Sequence, residues 1–67
     1  MNIETTQNGF IFNSIEYTFE GENEIISSSQ ALISTTSGLI LLDLSCTIND
    51  SKYTDINLFV EALKANA

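Results

Sequence analysis

The sequence has no proline, no histidine, no tryptophan and no arginine, and its only side-chain cations are Lys52 and Lys64. Each gap closes off a kind of chemistry. Histidine is the usual general base, so without it the fifteen Ser and Thr hydroxyls have no evident activator. One cysteine, Cys46, cannot form an internal disulfide, and with no histidine it cannot build a Cys/His zinc site. Binding to DNA or RNA needs clustered Lys and Arg. Two lysines against nine acidic residues, a net charge of −7, argue against nucleic acid and against an anionic membrane surface. Gly9, Gly21 and Gly38 stand apart, so neither a phosphate-binding loop nor a dinucleotide fingerprint is present. The longest apolar run falls far short of the roughly 20 residues that span a bilayer. Met1-Asn2-Ile3-Glu4-Thr5-Thr6 lacks the basic start and apolar stretch of a secretory signal. The expectation is a soluble, non-enzymatic protein without cofactor or metal, located in the cytoplasm or within an assembled particle.

What is present centres on Gly38 to Ile48. Ile40, Leu42, Leu44, Cys46 and Ile48 form an unbroken apolar file at period two, one covered face of a strand. On the opposite face Leu39 and Leu41 are apolar, whereas Asp43, Ser45 and Thr47 are polar. The pattern predicts a central strand, dry on one side and half dry on the other. Cys46 lies on the apolar file and reads as a small core filler.

Upstream, residues 1–7 fit a short edge strand with Ile3 inward. Asn8-Gly9 is the pair best suited to a type I′ hairpin turn. Phe10 and Phe12 share one parity, and Ile15, Tyr17 and Phe19 the other. A phase change requires a turn or an inserted residue, and Asn13-Ser14 sits on it, with a turn favoured. Glu20-Gly21-Glu22-Asn23-Glu24 is a loop by composition. Its spacing is not that of an EF-hand. Residues 25–36 are divided: Ile25, Ser29, Leu32 and Ile33 match a helical stripe, but the Ser/Thr run competes with helical hydrogen bonding. A strand over about 29–36, after an irregular lead-in at 25–28, fits better, and Thr36-Ser37-Gly38 then makes a hairpin.

Beyond the turn cluster Asn49-Asp50-Ser51 the period lengthens to about 3.6. Thr54 or Asp55 is placed to cap a helix running to about residue 65, with Ile56, Phe59, Val60 and Leu63 on its covered side and Phe59 as the deepest anchor. Leu58 projects the other way, with Ala62 and Ala65 beside it. The predicted fold is α+β: one domain over 1–67, a small antiparallel β-meander of three to five strands (β-rich over 1–49), covered by one C-terminal helix over about 54–65.

A chain of 67 residues gains only roughly 3–5 kcal/mol from its core and usually adds disulfides, metal or association. Only the last is open here. The predicted function is a small structural module that associates with itself or docks on a larger complex, as small parts of phage and other multi-subunit particles do. Leu39, Leu41 and Leu58 are the candidate apolar contacts. The alternative is an acidic inhibitor that blocks the basic, nucleic-acid-binding cleft of another protein, presenting Glu16, Glu20, Glu22, Glu24 and Asp43. Glu16 and Glu20 share a strand face, with Thr18 between them, but no pocket signal accompanies them as a catalytic pair.

Overall fold

A computed structural model describes all 67 residues, Met1–Ala67. Strands β1 (Asn2–Thr5), β2 (Gly9–Phe12) and β3 (Ile15–Thr18) run as an antiparallel meander. Asn13 and Ser14 join β2 to β3 with φ of 54° and 66°, the doubly positive pair that a type I′ turn requires. The change of phase is therefore a turn. Asn8-Gly9 does not fill the corresponding role in the first hairpin. There the tip is Gln7-Asn8, closed by the Thr6 N–H donating to the Gly9 carbonyl at 2.9 Å. Gly9 belongs to β2, opposite Thr18. A Cβ on Gly9 would lie 1.8 Å from the Tyr17 carbonyl oxygen, so close backbone approach, rather than a positive φ, requires glycine here.

A second antiparallel sheet has the order β4-β5-β6, from β4 (Glu24–Ile25), β5 (Gln30–Thr35) and β6 (Gly38–Asp43). Along β5 the residues Ala31, Ile33 and Thr35 are buried, which is period two and not the helical alternative. Thr36-Ser37 turns the chain into β6. The Thr35 hydroxyl ties that turn, donating to the Gly38 carbonyl at 2.8 Å and accepting from the Ser37 N–H at 3.0 Å.

The stretch Gly38–Ile48 is not one central strand. β6 ends at Asp43, residues 44–46 turn, and β7 (Thr47–Ile48) joins the first sheet in parallel with β1, giving the order β3-β2-β1-β7. The Asp43 carboxylate accepts from the Ser45 N–H at 2.8 Å, and this local bond bends the chain away from the β6 line. Consequently β6 is an edge strand and β5 is central. The even file still faces the core: Leu42, Cys46 and Ile48 are buried, Ile40 and Leu44 half-buried. The fold is α+β with antiparallel meanders and one C-terminal helix. Its strands number seven instead of three to five, because this bend adds β7 and because Glu24–Ile25, read as loop and lead-in, adds β4. β1 in turn lies inside its sheet, between β2 and β7, and not at an edge.

The two sheets meet at one corner. The Thr36 N–H donates to the Thr18 carbonyl at 3.0 Å and the Glu20 N–H to the Ser34 carbonyl at 3.1 Å, around a Phe19–Thr35 bridge. Helix α1 (Ile56–Lys64) closes the core against β2, β5 and β7. Asp55 caps it, accepting from the amides of Asn57 at 2.8 Å and Leu58 at 3.2 Å. Ile56, Phe59 and Leu63 are buried and Val60 half-buried, with Phe59 the deepest of them. The Tyr53 ring meets Phe59 edge-on, centroids 6.4 Å apart. Phe10 stacks on Tyr17 at 5.2 Å beneath the same core.

Candidate interaction surface

The outer face of β4-β5-β6 follows from parity. With Ala31, Ile33 and Thr35 turned inward, Gln30, Leu32 and Ser34 point out. The register places Leu41 opposite Leu32, Leu39 opposite Ser34 and Asp43 opposite Gln30. Cross-strand partners share a face, so Leu39, Leu41 and Asp43 stand on the outside of the sheet. Leu39 is 64% exposed and Leu41 50%. Leu32 between them and the acidic side is half-buried.

The backbone of β6 adds a second property. Antiparallel partners alternate between pairs that exchange hydrogen bonds and pairs that do not. The Leu44 N–H donates to the Ser29 carbonyl at 3.1 Å in the same register, so the even residues of β6 bond to β5. Ser34 agrees: its N–H donates to Asn23 Oδ1 at 2.9 Å and its carbonyl accepts from Glu20, both away from β6. The N–H and C=O groups of Leu39 and Leu41 therefore point out of the open side of the sheet.

Leu58 lies elsewhere. It is 55% exposed on the side of α1 turned away from the sheets, whereas Leu39 and Leu41 lie on the face of β6 turned away from α1. The three candidate leucines form two surfaces and not one. Ala62, expected beside Leu58, is half-buried against the core. Ile25 and Ile26, which the sequence places in an irregular lead-in and not among the candidate contacts, are each 43% exposed, with Ile25 in β4. Their signal is adjacency: two neighbouring isoleucines in extended backbone cannot both face inward.

The acidic candidates divide as well. Glu24 is opposite Leu32 on the side away from β6, and Glu20 is bonded at its backbone to Ser34. With Asp43 they border the leucines. Glu16 sits in a different row, opposite Ile11 on the four-stranded sheet, and Glu22 is exposed in the loop. The carboxyl of Asp43 is held below its ordinary pKa, first by the Ser45 hydroxyl and then by the Ser45 amide.

A shallow cleft of about 320 Å³ opens among Met1, Asn2, Glu4, Ile11, Asn13 and Ser14. It is lined by neither Glu16 nor Glu20 and holds no nucleophile paired with a base. No three His, Cys, Asp or Glu side chains gather as a metal site would need, and Cys46 is buried and free. No helix is long and apolar enough to cross a membrane. No family model, curated protein or solved structure matches this chain. The geometry of the β6 face is accordingly the basis for any functional reading.

Proposed function

We propose that this protein is a non-catalytic assembly module, in the cytoplasm or in an assembled particle, that associates with itself or docks on a larger protein complex through the outer face and open edge of β6. One observation carries the reading: Leu39 and Leu41 are at least half exposed on an edge strand, and their own outward backbone groups have no strand partner. Exposed apolar side chains and unpaired donors and acceptors on one edge are the two requirements of strand addition. Light scattering over a concentration series, at low and at high salt, tests it. Apolar association persists or strengthens as salt rises. A chain that stays alone at every concentration, and draws no second protein into a salt-resistant complex, overturns it.

Glu20, Glu24 and Asp43 on the same outer face support a second reading, an acidic inhibitor seated in a basic cleft of another protein, with Glu16 and Glu22 extending the charge. Binding of that kind weakens as salt rises. It is also lost when Glu20, Glu22 and Glu24 become glutamine.

A further inference from the structure

We infer that the occupant of the β6 edge is a second copy of this chain, paired antiparallel with β6 about a two-fold axis, so that Leu39 faces Leu41 of the second copy. The inference rests on the assembly reading and specifies its partner and register. An open strand edge offers donors and acceptors in alternation, and an extended strand satisfies both at once. A copy of β6 brings such a strand with matching parity.

Register decides which residues meet. Only odd residues of β6 turn their backbone groups outward, so the two strands pair odd to odd. Centring the axis on Leu41 sets Leu39 against Asp43 of the second copy, an apolar side chain against a carboxylate. Centring it on Leu39 runs Asp43 past the Thr36-Ser37 turn of the second copy. Centring it on Ile40 sets Leu39 against Leu41 twice over, four leucines on one face, and places Asp43 beside Ser37 of the second copy. Of the three, that arrangement alone sets every one of the four leucines against a leucine, and it leaves no carboxylate facing one. It exchanges four backbone hydrogen bonds between Leu39 and Leu41 of the two copies, and it makes one six-stranded sheet from two sheets of three.

Charge placement agrees. Glu24 stands on β4, on the far side of β5 from the junction. Across the joined sheet the two Glu24 side chains are five strand spacings apart, about 24 Å, against a screening length of about 8 Å at physiological salt. Glu24 therefore lies at the outer margin of the pair, and Asp43, on β6 itself, stands beside Ser37 and not beside a second carboxylate.

The test measures wild-type protein and Leu41→Lys by light scattering over a concentration series, with circular dichroism to confirm that both are folded. The expected result is a dimer whose dissociation constant rises about tenfold or more in Leu41→Lys. The added cation lowers the net negative charge, so a chain governed by self-repulsion alone would associate more tightly. A second measurement mixes Leu39→Cys with Leu41→Cys under oxidation. Hydrogen-bonded strand partners have Cα atoms about 5.5 Å apart, within disulfide range, and the mixture is expected to cross-link where neither variant alone does. A monomer at all concentrations overturns the inference. A dimer indifferent to Leu41→Lys also overturns it while leaving assembly through another surface standing. Cross-linking of Leu41→Cys alone, equal to the mixture, overturns the register.

Discussion

Gly9 shows how a single missing atom fixes a strand pair. The position a Cβ would take is 1.8 Å from the Tyr17 carbonyl oxygen, which is backbone and has no rotamer to yield. Gly9→Ala should cost about 2–3 kcal/mol or more, a fall of roughly 10 °C or more in the thermal midpoint for a domain this small. Asn-Gly beside a strand signals a turn with positive φ, and that signal misleads here because the same residue type also answers a steric demand from a neighbouring strand. Spacing along one strand carries no trace of that neighbour. Asp43 is a second case. Its carboxyl takes two bonds from Ser45, and its pKa is lowered. A carboxylate with a depressed folded pKa adds stability above its unfolded value, near about 4, and loses that contribution as pH falls through the folded value. In Ser45→Ala the Asp43 midpoint should move up toward the ordinary value, as followed by the carboxyl carbon chemical shift on titration.

Elements were legible where one period governed them. The helix was read from its 3.6-residue stripe, and Asp55 caps it through two amides. Asp55→Ala should cost about 1 kcal/mol, seen as a lower denaturant midpoint with an unchanged slope. The β5–β6 hairpin was read from Thr36-Ser37-Gly38, and Gly38 indeed has φ of 105°. The division of Gly38–Ile48 into β6 and β7 was not legible. The even apolar file runs through the bend without interruption, because both strands face the same core. The corner is marked by the bonds Asp43 takes, its carboxylate from the Ser45 amide and its carbonyl from the Cys46 amide. The two faces of β6 give a direct comparison. Leu42 is 1% exposed, so Leu42→Asp buries an unpaired carboxylate and should unfold the protein. Leu41→Asp should leave the melt of the dilute protein within about 0.5 kcal/mol of wild type while weakening association. Equal collapse of both variants in a thermal melt would refute the two-faced strand.

For the molecule as a whole, net charge and apolar surface oppose one another. Two bodies of charge −7 at 23 Å, one dimension of the molecule, repel by about 9 kcal/mol in unscreened water, and by about 0.5 kcal/mol at physiological salt. Burying a leucine fully is worth about 1.5–3 kcal/mol. Contact among the four leucines of the pair therefore outweighs repulsion in physiological salt, and in very dilute buffer the two become comparable. Self-association should weaken below about 10 mM salt, where the screening length reaches about 30 Å, a trend that sedimentation at two ionic strengths would register. Changing Glu20, Glu22 and Glu24 to glutamine should leave the melting temperature nearly unchanged, since all three are exposed. The composition disclosed this opposition but not its geometry: nothing in a list of residues places Leu58 on one surface and Leu39 on another.

The parallel contact of β7 with β1 joins Asn2 to Thr47 and Ile3 to Ile48. β2 and β3 follow β1 within a few residues, and β5 and β6 are joined by two, so these hairpins zip from nearby sequence. The seam between β1 and β7 must wait for a strand some forty-five positions later. During synthesis, Asn2 and Ile3 stand with one flank unattended until Thr47 and Ile48 have been added. That late seam, and not any hairpin, is the strand contact that must gather in the longest reach of chain.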